Sequence, residues 1–206
     1  MKYLGIRFEG NILSEEVLEK LGDDGIEGQA PKDVGIKGKS RDEIASAWAD
    51  SRNLWEVFRS RMDREQGEDA YGKTRTRKLW IEPLLDLLGY KLELQGQAQV
   101  LHGRSYNFSH RALNCAGMPL YILGCKIDID KGLERTRGGM SPHSLLQEYL
   151  NLTEEHLYAV LTNGLKLRLL RDASRLVRLS FVEFDLERIM EDELYTDFAV
   201  LYRILH

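Results

Sequence analysis

Residues 157–171 run Leu157-Tyr158-Ala159-Val160-Leu161-Thr162-Asn163-Gly164-Leu165-Lys166-Leu167-Arg168-Leu169-Leu170-Arg171. Two largely apolar runs of strand length flank Asn163-Gly164, the dipeptide with the strongest short-range hairpin tendency. The stretch predicts strands over 157–162 and 165–171. Upstream, the run Pro119-Leu120-Tyr121-Ile122-Leu123-Gly124-Cys125-Lys126-Ile127 predicts one continuous buried strand over 119–127. Between them Ser141-Pro142 opens a helix, the serine as N-cap and the proline at the first helical position. Leu145, Leu146, Tyr149 and Leu150 give that helix its apolar face.

Working outward, the period is two over Tyr90–Gln95, Gln97–Leu101 and Ser105–Phe108, with turns at Gly96 and Gly103, so three short strands are expected. Before them Leu79, Trp80, Ile81, Leu84, Leu85 and Leu88 form a wide apolar stripe closed by Gly89 as a C′ residue. Pro83 either sits in the first turn of that helix or kinks it, and a start near Pro83's own turn would resolve the conflict. Residues 175–184 read as a further strand and 186–205 as helical. Residues 40–65 are helical in pattern, with Trp48, Trp55 and Trp80 read as core. Residues 12–21 form a short amphipathic helix capped by Ser14, and 22–39 form a glycine-rich linker. The expected fold is mixed α/β, a central sheet flanked by helices with a helical amino-terminal arm. The expected divisions are 1–39 (helix and linker), 40–72 (helical arm) and 73–206 (main domain).

With 206 residues, 43% of them hydrophobic and 30% charged, the chain can bury a sizeable core. No run of 18 apolar residues exists, and the first residues lack the pattern of a signal peptide. Cys115 and Cys125 have no paired spacing, which fits reduced thiols and a cytoplasmic location. The net charge of -4 excludes a uniformly basic nucleic-acid binder, but the charge is segregated. Lys73, Arg75, Arg77 and Lys78 form one basic group, and Lys166, Arg168, Arg171, Arg175 and Arg178 a second. The acids crowd at Glu183, Asp185, Glu187, Glu191, Asp192, Glu193 and Asp197.

Three local patterns carry a resemblance. Leu84-Leu85-Asp86-Leu87-Leu88-Gly89-Tyr90 resembles the opening helix of restriction nuclease domains. Gln147-Glu148-Tyr149 resembles the glutamine–tyrosine helix of nuclease domains in Type I restriction motor subunits. Leu161-Thr162-Asn163-Gly164 with Leu165–Leu170 resembles the hairpin that closes those domains. Together with Ser141-Pro142-His143-Ser144, Leu169-Leu170-Arg171-Asp172 and Val182-Glu183-Phe184-Asp185-Leu186, residues 75–206 resemble the amino-terminal PD-(D/E)XK-type region of Type IIG-like adenine methyltransferases, some of which serve in DISARM-type phage defence. The resemblance implies a restriction-endonuclease-like core and a longer parent protein that uses S-adenosylmethionine. No Asn-Pro-Pro-Tyr motif or donor-binding glycine loop is found in this chain, so this segment is expected not to methylate DNA.

In that family two carboxylates hold Mg²⁺ and a lysine sits beside the attacking water. Carried onto this sequence, Ser109 and Gly124 stand where the carboxylates belong, Lys126 keeps the lysine position, and Gln147 lies on the following helix. A degenerate site without catalysis or metal is expected. The alternative is an active Mg²⁺-dependent endonuclease using Asp128 and Asp130, placed on one side of a continuing strand, with Lys126. His110 next to Ser109 is not expected to form a nucleophilic pair, because neighbours on a strand face opposite ways. The resemblance implies double-stranded DNA as partner, contacted by Lys73, Arg75, Arg77, Lys78, Arg135 and Arg137, with backbone approach at Gly138 and Gly139. A different class of function is a docking platform for other domains or subunits of a defence system, through the acidic stretch 183–197. No membrane partner is expected.

Overall fold

The sheet begins earlier than the sequence suggested. The computed structural model describes residues 3–10, 12–13, 17, 20, 30–62, 72–132, 139–173 and 180–206. Ser14, Leu18 and Leu21 of the first amphipathic segment, residues 22–29 of the glycine-rich stretch, Arg135, Arg137 and Gly138, and Arg175 and Arg178 lie outside the described residues. Ile6–Glu9 forms a strand, β1, that pairs antiparallel with β9 (Phe181–Asp185), Ile6 opposite Phe184. Its alternation, Ile6 and Phe8 inward against Arg7 and Glu9, is short but regular.

Helix α1 (Ser40–Met62) follows, with Asp42 and Glu43 in its first turn and Arg59 and Arg61 in its last, both favourable to the helix dipole. Helix α2 covers 73–87. It is α-helical over Lys73–Arg75, π-helical over Thr76–Ile81 and α-helical over Glu82–Leu87. The helix thus starts well before Pro83, and the expected first-turn placement is corrected. Pro83 has no N–H for the carbonyl of Leu79, and its ring would press on that carbonyl in a regular α-helix. The wider π turn just before it, with Glu82 N–H bonded to the Arg77 carbonyl, accommodates both facts. Gly89 at φ 82 ends the helix, and Tyr90 N–H reaches back to the Leu85 carbonyl, as the C′ glycine predicted.

The remaining elements are β2 (Leu92–Leu94), β3 (Gln99–Leu101), β4 (Arg104–Tyr106), β5 (His110–Ala112), β6 (Met118–Ile122), α3 (Pro142–Leu152), β7 (Tyr158–Thr162), β8 (Lys166–Arg171), α4 (Leu186–Glu191) and α5 (Tyr195–Leu205). Ser141 caps α3, its Oγ accepting from Ser144 N–H at 3.1 Å. Among the described residues the main sheet has the order β1-β9-β8-β7-β6-β5-β2, and β3 and β4 form a separate two-stranded ribbon. β2, β5 and β6 are an antiparallel meander; β6 and β7 are parallel, joined across α3; β7, β8, β9 and β1 are again antiparallel.

The expected strand over 119–127 stops at Ile122, and Gly124 to Ile127 form a turn in which Ile127 N–H bonds the Gly124 carbonyl. Cys125 and Ile129 stay buried without strand pairing, which is why an apolar run alone overshot the strand. The expected helical stretch 186–205 divides at Glu193 into α4 and α5. This residue takes φ 53, and Leu194 N–H bonds the Ile189 carbonyl, a C-terminal cap with glutamate where glycine is usual.

Strand alternation divides the core into two layers. One side, with Val160, Leu167, Val182 and Phe184, packs on α1, α2 and the closing helices through Trp55, Trp80, Leu84, Phe198 and Leu201. The other, with Ala159, Leu161, Leu170 and Phe181, packs on α3 and the ribbon through Leu146, Tyr149, Tyr106 and Phe108. Sheet and core run across residues 39 and 72. Ile6 sits in the sheet, and Ile44, Trp55 and Phe58 share one cluster with Trp80. No helix among the described residues is long and apolar enough to cross a membrane.

Candidate nucleic-acid interface

The hairpin at 163–164 organises the end of the sheet where β6 and β7 finish. Thr162 Oγ1 donates to the Lys166 carbonyl at 2.7 Å and accepts Gly164 N–H at 3.0 Å. Asn163 Oδ1 accepts the N–H groups of Leu165 and Lys166, and its Nδ2 donates to the Ile127 carbonyl at 2.8 Å. Gly164 alone of the pair takes positive φ, at 86°, so the turn is looser than a two-residue hairpin and is completed by asparagine's side chain. The Gly164 carbonyl accepts Trp80 Nε1–H at 2.8 Å.

Helix α2 clamps the neighbouring strand exit. Thr76 Oγ1 donates to the Gly72 carbonyl at 2.7 Å and accepts Cys125 N–H at 3.0 Å. Arg77 donates from Nε and Nη2 to the Ile122 carbonyl, at 3.2 and 2.9 Å. A Cβ on Gly72 would stand 2.8 Å from Cys125 Sγ, so backbone and thiol meet directly. These contacts bring the basic group at the start of α2 beside the turn that carries exposed Lys126.

Members of the expected DNA patch differ in what they do. Lys73 and Lys78 are exposed, and Lys78 pairs with Glu82 at 2.8 Å. Arg75 donates from Nη1 to the Arg61 carbonyl at 3.0 Å. Arg77 is half-buried on Ile122, and burial lowers its pKa against the opposing pull of Glu82. Arg77 is therefore a structural clamp.

Ser109 stands across from the end of β6. Its Oγ donates to the Leu120 carbonyl at 3.0 Å and accepts Ile122 N–H at 2.8 Å. His110 Nδ1 lies 3.0 Å from the same oxygen, and His110 Nε2 lies 3.3 Å from Glu82 Oε1. The expectation that Ser109 and His110 face apart is thus corrected; Ser109 precedes the strand, where alternation does not hold. The order Glu82–His110–Ser109 has the outline of a nucleophile triad. However, the hydroxyl is held by two backbone groups and is buried, and burial depresses the pKa of His110. A hydroxyl proton committed to Leu120 is not poised for attack on a substrate.

Gly124 and Lys126 lie past the strand. Gln147 is elsewhere: its Nε2 donates to the Arg171 carbonyl at 3.0 Å and to Asn151 Oδ1 at 2.9 Å, at the opposite end of the β7–β8 hairpin from Asn163. It lines a groove of about 380 Å³ with Arg104, His143 and Glu148. The structure brings Ser109, Gly124 and Lys126 to one end of the sheet and leaves Gln147 at the other.

Asp128 and Asp130 are not on a strand, so the expected shared side does not arise. Asp128 Oδ1 accepts Asp130 N–H, and Oδ2 lies 3.5 Å from Lys131 Nζ. Asp130 meets Arg168 with both oxygens, at 2.6 and 2.7 Å, and this pairing holds its pKa below the usual carboxylate value. Arg168, only 2% exposed, also donates from Nε to buried Glu183 at 2.5 Å and from Nη1 to His143 Nδ1 at 3.0 Å. Since guanidinium only donates, His143 must accept through Nδ1 and carry its proton on Nε2. Burial, then the Arg168 charge, push the His143 pKa down to about 4. Sequence reasoning counted Arg168 as one of a basic stretch and missed this network. The signal available was an arginine set between leucines, Leu167 and Leu169, within a strand.

The acidic stretch is largely engaged within the fold. Glu191 accepts Trp55 Nε1–H at 3.0 Å, Glu193 pairs with Arg52, Asp192 with Arg188, Asp185 caps α4, and Asp197 accepts Gly5 N–H at 2.6 Å. Among the described residues, no group of three or more His, Cys, Asp or Glu is arranged to hold a metal. No protein-family model, curated protein or solved structure matches the chain.

Proposed function

We propose that this chain is a DNA-binding module on a restriction-endonuclease-like core, part of a restriction–modification or anti-phage methyltransferase system, and that it holds duplex DNA without cutting it. Support for the core comes from the order helix α2, antiparallel meander β2-β5-β6, helix α3 and parallel strand β7. The observation that carries the DNA reading is that helix α2, which bears Lys73, Arg75 and Lys78, is fastened beside the turn of exposed Lys126 through the Thr76–Cys125 and Arg77–Ile122 contacts. Cations at a helix start and a strand exit suit phosphate oxygens, which position a protein without reading sequence. The carboxyl end of parallel strands is also where open α/β sheets place ligands.

Absence of cutting follows from the chemistry of the residues at that end. Ser109 is a neutral hydroxyl bonded to backbone, and Asp130 shares both oxygens with a buried arginine that also holds Glu183. Recruiting Asp130 to Mg²⁺ would remove a charge partner from Arg168. The test is duplex binding over a salt series, with a plasmid-nicking assay in Mg²⁺ and Mn²⁺ alongside. Salt-dependent binding without nicking fits the proposal; nicking lost in Asp128→Ala would replace it with an active nuclease.

A further inference from the structure

Among the described residues, strands β3 and β4 pair with each other and not with the main sheet. This ribbon is inserted between β2 and β5. β2 runs parallel to β6, since each is antiparallel to β5, so the ribbon leaves and returns at the sheet end where Ile122 and Arg77 meet. Its inner side is braced on α3. Tyr106 Oη donates to Glu148 Oε1 at 2.6 Å, Arg104 pairs with Glu148 at 2.6 Å, and Tyr106 and Phe108 pack edge-on to Tyr149. Its outer side is open: Val100 is 67% exposed, and His102, Gly103 and Ser105 are exposed. His102 and Gly103 both take positive φ, 47° and 73°, which makes the tip a tight two-residue turn.

The charge pattern fits one class of partner. Residues 94–127 hold no Asp or Glu, although the chain carries 33 acids in 206 residues. Acids that touch this stretch from outside include Glu93, Glu148 and Glu82, which meet Arg111, Arg104 and His110 respectively. The ribbon therefore offers a polyanion no uncompensated carboxylate, while its amide, hydroxyl, imidazole and methyl groups match the chemistry of base edges. Strands about 4.8 Å apart make a ribbon that enters a major groove about 12 Å wide, and the narrow, deep major groove of RNA duplexes would refuse it.

Resting on the DNA-binding proposal above, we infer that the β3–β4 ribbon enters the major groove of duplex DNA and reads base sequence through Val100, His102 and Ser105, while the basic cluster at α2 holds the backbone.

The experiment selects bound molecules from a pool of duplexes with a randomised centre. It compares the full chain with a His102→Ala/Ser105→Ala variant whose melting temperature is checked. The expected result is a preferred sequence for the wild type, with discrimination of roughly tenfold per base pair. The variant should lose that preference while keeping affinity for mixed-sequence duplex within about twofold and an unchanged salt dependence. A wild type that binds duplex without preference, or a variant that retains it, overturns the ribbon's role and leaves DNA binding standing. No duplex binding at low salt overturns both. Preference for duplex RNA overturns the groove assignment.

Discussion

A Cβ on Gly164 would stand 2.6 Å from Cγ2 of Thr76, so the hairpin turn and helix α2 meet at a distance only glycine permits. The same turn holds Trp80 through the Gly164 carbonyl, and Thr76 holds Cys125. The hairpin, the helix and the β6 exit are thus one unit, and the proposed phosphate-binding cations are mounted on it.

Gly164→Ala is expected to destabilise the protein by about 2–4 kcal/mol, adding left-handed backbone strain to overpacking against Thr76. Chemical denaturation measures it. Gly164→Ala combined with Thr76→Ser removes the clashing methyl and should recover part of the loss. A full loss in the double variant would place the cost elsewhere.

Arg168→Ala leaves Glu183 buried without its guanidinium and is expected to cost roughly 3–5 kcal/mol. Asp130 is half-exposed, so Asp130→Ala should cost about 1 kcal/mol or less. Replacing Arg168 and Glu183 together by methionine should cost much less than Arg168→Ala. The ordering of these three variants in urea unfolding checks the network.

Acid is expected to weaken the fold through His143. Its folded pKa, about 4, lies below the ordinary 6.5, so the unfolded chain binds the extra proton first. The stabilising contribution is complete above pH 6.5 and is lost as pH falls toward 4, by roughly 3 kcal/mol. Asp130, with its lowered pKa, acts in the same direction at lower pH. In His143→Asn the slope of stability against pH between 6.5 and 4 should flatten, which melting temperatures in a buffer series will read.

Arg77 and its neighbours should separate in kind. Arg77→Ala removes hydrogen bonds to Ile122 and is expected to lower stability by about 1–2 kcal/mol. Lys73→Glu and Lys78→Glu, at exposed positions, should leave stability within about 0.5 kcal/mol. Thermal melting of the three variants distinguishes clamp from surface.

How much of this was legible in the sequence depended on range. Asn163-Gly164, Ser141-Pro142 and Gly89 are local signals, and each marks the turn, cap or helix end expected of it. Pro83 announced a conflict but not its resolution, since a π turn depends on the surrounding helix. Strand β1 was missed because four alternating residues carry little information without the partner β9. Strand β5 was missed because Tyr106–His110 blends into it, although Ser109 still bends there. The Arg168–Asp130–His143 contacts join residues 38 and 25 positions apart, so only tertiary packing of β8, the turn that carries Asp130 and helix α3 brings them together. For the same reason the acidic run 183–197 read as a face, while the fold turns its members toward α1, β1 and β8.

The most direct test is the affinity of the full chain for mixed-sequence duplex DNA over a range of salt concentrations, with and without Lys73→Glu/Lys78→Glu. The account expects log affinity to fall linearly with log salt, and the charge-reversed chain to lose about 2 from the magnitude of that slope, near 0.9 per phosphate contact. No binding at low salt, or an identical slope in both proteins, would contradict it.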